Sequence, residues 1–286
     1  MEKRPDWLTV RYKAHPNHEV VNEILAQENL HTICREAVCP NFTECFSKKT
    51  ATFLIMGTAC TRSCRFCNVT TATPTPLDVE EPMRLAKAVV ELGLRHVVIT
   101  SVTRDDLPDG GAAHFAAVIR SVKQMAPQAA VEVLVPDFGG NMHAIDVIAA
   151  EAPDVIGHNV ETVCALYATV RPEAVYERSL VLLQYVKQNY PKIRTKSGMM
   201  LGFGETQAQV LALFDDLSRV GCDFLTIGQY LSPTKIHHPV VEYITPEQFE
   251  QYGEIAREKG FLHVASAPFV RSSYNASEAL QGEDGI

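Results

Sequence analysis

Three cysteines, Cys60, Cys64 and Cys67, are spaced x3 then x2 in the stretch Cys60-Thr61-Arg62-Ser63-Cys64-Arg65-Phe66-Cys67. The stretch follows directly on an apolar run, residues 51–57, that reads as a buried strand. Three thiolates this close together on one loop can hold three irons of a cubane cluster and leave the fourth iron without a protein ligand, open to chemistry. A zinc knuckle completed by a histidine is the alternative, because zinc also favours C-x2-C pairs. Upstream, Cys34-x4-Cys39-x5-Cys45 again offers three thiolates without a fourth ligand, and Pro40 and Asn41 set a turn inside it. Zinc with nearby His31 is the competing reading there. Cys164 and Cys222 stand alone in apolar helical patterns and read as core thiols.

These cysteines need a scaffold. After the central loop, strand patterns at 96–102, 130–135, 155–160, 194–201 and 224–231 alternate with helical patterns at 81–92, 112–125, 142–150, 176–189, 206–220 and 246–259. Together with the strand at 51–57 this regular βα alternation implies right-handed crossovers and a parallel sheet, an α/β fold of the partial (β/α)6, TIM-like barrel type. Functional groups in such a barrel sit at the C-terminal ends of strands. Those ends carry Thr103-Arg104-Asp105-Asp106, His158-Asn159-Val160-Glu161-Thr162, Gly202-Phe203-Gly204-Glu205 and Gln229-Tyr230, while Lys196 and Ser197 open the fifth strand. Any one of these residues alone reads equally as a helix cap or a solvated loop group; the argument for function is their collective placement at one mouth. A short amphipathic helix is expected over 19–27, and a last apolar strand over 263–270 runs into Arg271-Ser272-Ser273-Tyr274, whose serines alone read as caps.

The 286 residues are 46% hydrophobic and carry a formal net charge of −8, which suits one barrel-sized domain and argues against nucleic acid as the main partner. No run of 18 apolar residues and no secretory leader is present, so no membrane role and a cytoplasmic location are expected. Six of the eight cysteines fall between Cys34 and Cys67, and in a reducing compartment such crowding points to metal rather than disulfides. Lys3, Arg4, Arg11 and Lys13 make a locally basic arm, either solvated or a docking surface for an acidic partner.

The x3/x2 triplet with Phe66 before its last cysteine resembles the cluster motif of radical S-adenosylmethionine enzymes. Gly198-x-Met200-x-Gly202-x2-Glu205 resembles a relaxed form of their fifth-strand motif, whose glycines would let backbone approach the adenine. From Cys34 to Tyr274 the residues resemble the lipoyl synthase family more specifically. This rests on the two triplets, Thr103-Arg104-Asp105-Asp106-Leu107-x-Asp109-Gly110-Gly111, His158-Asn159-x-Glu161-Thr162-Val163 and Arg271-Ser272-Ser273-Tyr274. The resemblance implies a 4Fe-4S cluster on Cys60, Cys64 and Cys67, which with S-adenosylmethionine generates a 5′-deoxyadenosyl radical. It also implies an auxiliary 4Fe-4S cluster on Cys34, Cys39, Cys45 and Ser273 that is consumed as sulfur donor. The implied reaction inserts sulfur at carbons 6 and 8 of an octanoyl chain on a lysine of a lipoyl carrier, an E2 lipoyl domain or the glycine-cleavage H protein. Phe66, Thr103, Asn159, Glu161 and Lys196 are the implied cofactor contacts, and an external electron donor and an iron-sulfur carrier for cluster repair are the further implied partners. The chain then divides into an N-terminal helical and loop extension, 1–50, the barrel, 51–260, and a C-terminal extension, 261–286.

Overall fold

The computed structural model describes residues 4–9 and 13–281. Of the basic arm, Arg4 and Lys13 are exposed, while Lys3 and Arg11 lie outside the described residues. The chain forms two compact units, one built from residues 11–62 and 68–156, the other from 63–67 and 157–286 with the N-terminal residues.

The first unit contains α1 (Asn17–Gln27), β1 (His31–Thr32), α2 (Ile33–Glu36), α3 (Phe42–Ser47), β2 (Thr52–Ile55), β3 (Ala59–Cys60), β4 (Thr70–Thr71), α4 (Glu81–Leu92), β5 (His96–Ser101), α5 (Ala112–Met125), β6 (Ala130–Leu134) and α6 (Met142–Ala149). Its last residues, Val155 and Ile156, begin β7 (Val155–Gly157). Strands β2, β5 and β6 run parallel, with Leu54 opposite Thr100 and Val98 opposite Glu132. The two-residue β1 closes the edge antiparallel to β2. All four residues of β2 are buried, as expected of a strand covered on both faces. Sequence periodicity misses β3 and β4, a two-residue parallel pair in which Cys60 lies opposite Thr71.

In the second unit follow α7 (Tyr167–Val170), α8 (Tyr176–Asn189), β8 (Arg194–Leu201), α9 (Gln207–Arg219), β9 (Phe224–Gln229), α10 (Pro246–Glu258), β10 (His263–Ser266) and α11 (Glu278–Gln281). Strands β8, β9 and β10 are again parallel. A capping box of Thr206 and Gln209 starts α9, and Thr245 with Pro246 starts α10, the local signals that set both helix entries. Their apolar faces bury Leu213, Phe214, Leu217, Phe249 and Tyr252 against Leu225 and Ile227.

Several expectations are corrected. The fourth strand stops at Gly157, because Glu161 adopts φ +65° and rejoins β8 only through a bridge to Met199, a bulge-like interruption. The last strand stops at Ser266, and the Gln229 N–H donates to Pro268 O as the chain crosses β9. Cys164 is exposed on a 3-10 turn, since Val163 and Tyr167 fill the core there; Cys222 is buried, with its thiol pushed up to about 12 by burial. Among the described residues no helix is long and apolar enough to cross a membrane.

Candidate functional site

The loop carrying Cys60, Cys64 and Cys67 is braced where it leaves β2. Met56 and Gly57 take positive φ values, and the Met56 N–H donates to Glu81 Oε2 at 2.9 Å. The same oxygen meets His114 Nε2 at 2.7 Å, and both side chains are buried. Pairing of Cys60 with Thr71, and the Ala72 N–H on Cys60 O at 3.2 Å, closes the neck of the loop. Inside it the Thr61 N–H and Oγ1 both donate to Thr103 O, at 3.1 and 3.0 Å. Arg62 donates from Nε and Nη2 to Asp105 at 2.7 and 2.8 Å, and from Nη2 to Asp137 at 2.6 Å. Burial opposes the Arg62 charge, and the two carboxylates more than offset it, so its pKa is raised. The peptide N–H groups of Thr103 and Arg62 point at Cys60 Sγ, 3.3 and 3.5 Å away.

Beyond Arg62 the loop closes a turn, with the Cys67 N–H on Cys64 O at 3.0 Å. The Arg65 N–H donates to Val170 O and Arg65 O accepts from the His238 N–H, while His237 Nε2 donates to Cys67 O at 3.0 Å. Phe66 lands edge-on against Phe203, which stacks on Tyr230 at 4.2 Å, so its ring joins an aromatic wall just beyond the ends of β8 and β9.

At the end of β7, Asn159 Nδ2 donates to Glu161 at 3.0 Å, while Asn159 Oδ1 is buried without a hydrogen-bond donor. Burial pushes the Glu161 carboxyl above its usual range, against the nearby charges of Arg171 and Arg271 and the Asn159 amide. Arg171 Nη1 holds the turn by donating to Asn159 O and Val160 O. Lys196 falls elsewhere: it is the third residue of β8, opposite Phe224 at the start of β9 and five residues, about 17 Å, before Leu201.

Protein atoms crowd the Cβ side of the fifth-strand glycines. A Cβ at Gly202 would sit 2.3 Å from Gln229 Nε2, and one at Gly198 2.6 Å from Thr226 Oγ1 and 2.9 Å from Asn159 Oδ1, so protein atoms fill both spaces. Glu205 accepts from the Gly202 and Phe203 N–H groups, and Gln229 bonds four backbone groups, both acting within the turn. Gly228 has a different role: a Cβ there would lie 2.0 Å from Val270 O, and its absence lets the segment leading into Arg271-Ser272-Ser273-Tyr274 cross β9. The Tyr274 N–H donates to Arg271 O, so Ser272 and Ser273 form the tip of a turn.

Cys34 and Cys45 sit on short helices. Cys34 is in α2, Cys39 follows it in a turn, and Cys45 is in α3. Burial, then the proximity of Cys34 and Cys39, pushes the Cys45 thiol up to about 12, and burial also raises Cys34. The turn needs Val38 at φ +50°, a position that favours Gly or Asn, although Val38 is 70% exposed. Among the described residues no three His, Cys, Asp or Glu side chains are grouped closely enough to hold a single metal ion.

The sequence profile of the Radical SAM superfamily matches residues 54–217. The lipoyl synthase of Caldicellulosiruptor saccharolyticus is 56% identical over 98% of this chain and 98% of its own, and that of Geobacter sulfurreducens is 52% identical over 97% and 91%. This chain belongs to the lipoyl synthase family. Among solved structures it resembles the FeFe-hydrogenase maturase HydG, at 13% identity and TM-score 0.57 over 92% of this chain and 74% of that one. Streptococcus suis SuiB bound to S-adenosylmethionine aligns at 10% identity and TM-score 0.56, over 72% and 46%. Both likenesses show the shared α/β, partial-barrel fold. Membership of the radical lipoyl synthases implies a 4Fe-4S cluster and S-adenosylmethionine, and the residues present fit them. Two peptide N–H dipoles aimed at Cys60 Sγ suit a negatively charged cluster sulfur. The undonated Asn159 Oδ1 beside Glu161 suits a hydroxyl or amino group brought by a ligand.

Of this network the sequence pattern missed Arg62, Asp137, Glu81, His114 and Arg171. The readable signal was Arg62 lying between two cysteines; nothing local marks Asp137 as its partner 75 residues away.

Proposed function

We propose that the chain, as a lipoyl synthase, inserts two sulfur atoms at carbons 6 and 8 of an octanoyl chain in amide linkage to a lysine of a lipoyl carrier protein. End-to-end identity above 50% with lipoyl synthases carries this reading. When bound, S-adenosylmethionine and the radical cluster supply a carbon radical able to take hydrogen from unactivated C–H bonds, and an auxiliary 4Fe-4S cluster supplies the sulfur. Cys60, Cys64 and Cys67 hold the first cluster, with Phe66 and its aromatic wall beside the adenine. Asn159 and Glu161 receive the polar groups of the cofactor. Thr103 contributes its N–H toward Cys60 and its carbonyl toward Thr61, which orients the loop against the cofactor. Cys34, Cys39, Cys45 and Ser273 hold the auxiliary cluster; a serine oxygen is a harder donor to iron than a thiolate and releases it more readily.

In this reading 1–50 carries the sulfur donor, 51–260 the radical machinery and 261–286 the serine ligand. Octanoylated E2 lipoyl domains and the H protein of glycine cleavage are the macromolecular substrates, met in the cytoplasm. An external electron donor and an iron-sulfur carrier complete the cycle. Anaerobic turnover with an octanoylated carrier peptide tests the reading: mass spectrometry should find two added sulfurs. Cofactor cleavage without sulfur addition by a fully reconstituted protein would overturn it.

A further inference from the structure

We infer that Arg62, Asp105 and Asp137 are positioning residues for the radical cluster, holding the Cys60 sulfur beneath the peptide N–H groups of Arg62 and Thr103. The inference rests on Cys60 being a ligand of that cluster. Arg62 leaves the cysteine loop and spans two strand-end loops, forking onto both oxygens of Asp105 beyond β5 and reaching Asp137 beyond β6. Arg62 and Asp137 are 8% and 1% exposed, so the contact is shielded from solvent. Arg62 itself supplies one of the two N–H groups that face the Cys60 sulfur. Arg62 N lies 3.5 Å from Cys60 Sγ. Thr61, whose hydroxyl accepts from the Asp105 N–H, fixes Thr103 so that its N–H lies 3.3 Å from that sulfur. Releasing the guanidinium therefore frees residues 61–62 and 103–105 together and misaims both dipoles. N–H dipoles on a cluster sulfur favour the more negative, reduced cluster and raise its potential. Lysine keeps the charge of Arg62 but presents a point, not a fork, and cannot make the three contacts at once.

The experiment uses full-length protein with Cys34, Cys39 and Cys45 changed to alanine, so that one cluster is read. Arg62→Lys and Thr61→Val are made in that background; both leave the local charge unchanged, and the second removes the hydroxyl that links Asp105 to Thr103. Each variant should keep about four irons, while a redox titration followed by electron paramagnetic resonance gives a more negative midpoint than the parent. With a reductant of fixed potential, S-adenosylmethionine cleavage should fall about tenfold or more, as outer-shell changes at metal sites do. A clamp that serves only folding would leave the midpoint where it is, so unchanged midpoints in both variants at full iron content overturn the inference. A parent that binds no iron overturns the ligand assignment itself.

Discussion

The loop bearing Cys60, Cys64 and Cys67 and the segment bearing Cys34, Cys39 and Cys45 each present three thiols, in different surroundings. The first is fastened by the Glu81–His114 brace, by the Arg62 clamp and by peptide donors aimed at Cys60. The second rides on short helices held by His18 on Thr43 O, Asn17 on Ser47 O and Asn68 on Glu36 O, contains the strained Val38, and has Cys34 and Cys45 thiols whose burial and mutual repulsion oppose ionisation. In the proposed function, where this triplet holds the sulfur donor, bound cations must offset that opposition whenever the cluster is assembled.

The largest expected effect separates the two triplets outright. Alanine at Cys34, Cys39 and Cys45 should lower iron from about eight to about four per chain and abolish lipoyl product while 5′-deoxyadenosine still forms. Alanine at Cys60, Cys64 and Cys67 should abolish both products, as read by chromatography and mass spectrometry. Lipoyl product from the first variant would erase the distinction. Next, Glu81→Ala strips the acceptor from Met56 and leaves His114 buried without it, costing about 3 kcal/mol in urea unfolding of the metal-free chain. A loss below about 1 kcal/mol, the net worth of an ordinary hydrogen bond, would show that the radical loop is not braced there.

Gly228→Ala probes the proposed sulfur-donor side, because its new methyl meets Val270 O and must displace the segment before Ser273. We expect about 1–3 kcal/mol of destabilisation and a larger fall in lipoyl product than in cofactor cleavage. Equal falls would detach that segment from sulfur transfer. The smallest effect is a gain: Val38→Asn relaxes the left-handed turn and should raise stability by about 1 kcal/mol in thermal melts. A loss there would mean that the exposed valine makes a contact worth more than the strain.

Much of the fold is legible in the order of residues along the chain. Helices α4, α5 and α8 and strand β8 lie where hydrophobic periodicity places them, because each buries a face that repeats over several turns or pairs. Strand ends are less legible: the bulge at Glu161 and the crossing at Pro268 arise from contacts with β8 and β9, not from local composition. The expectation for Cys164 failed because apolar neighbours predict that a residue is near the core, but not which side of a turn it occupies.

The amino-acid sequence by itself determined the number, type and spacing of the thiols, the βα alternation and the family, since these are properties of residues close together along the chain or of the chain as a whole. Tertiary structure alone decided that Arg62 meets carboxylates 43 and 75 residues away, that Gly228 makes room for the C-terminal crossing, and that Asn159 keeps an undonated oxygen. A charged side chain carries no local sign of its partner. Only the folding of parallel strands, which brings distant strand ends into one layer, chooses it.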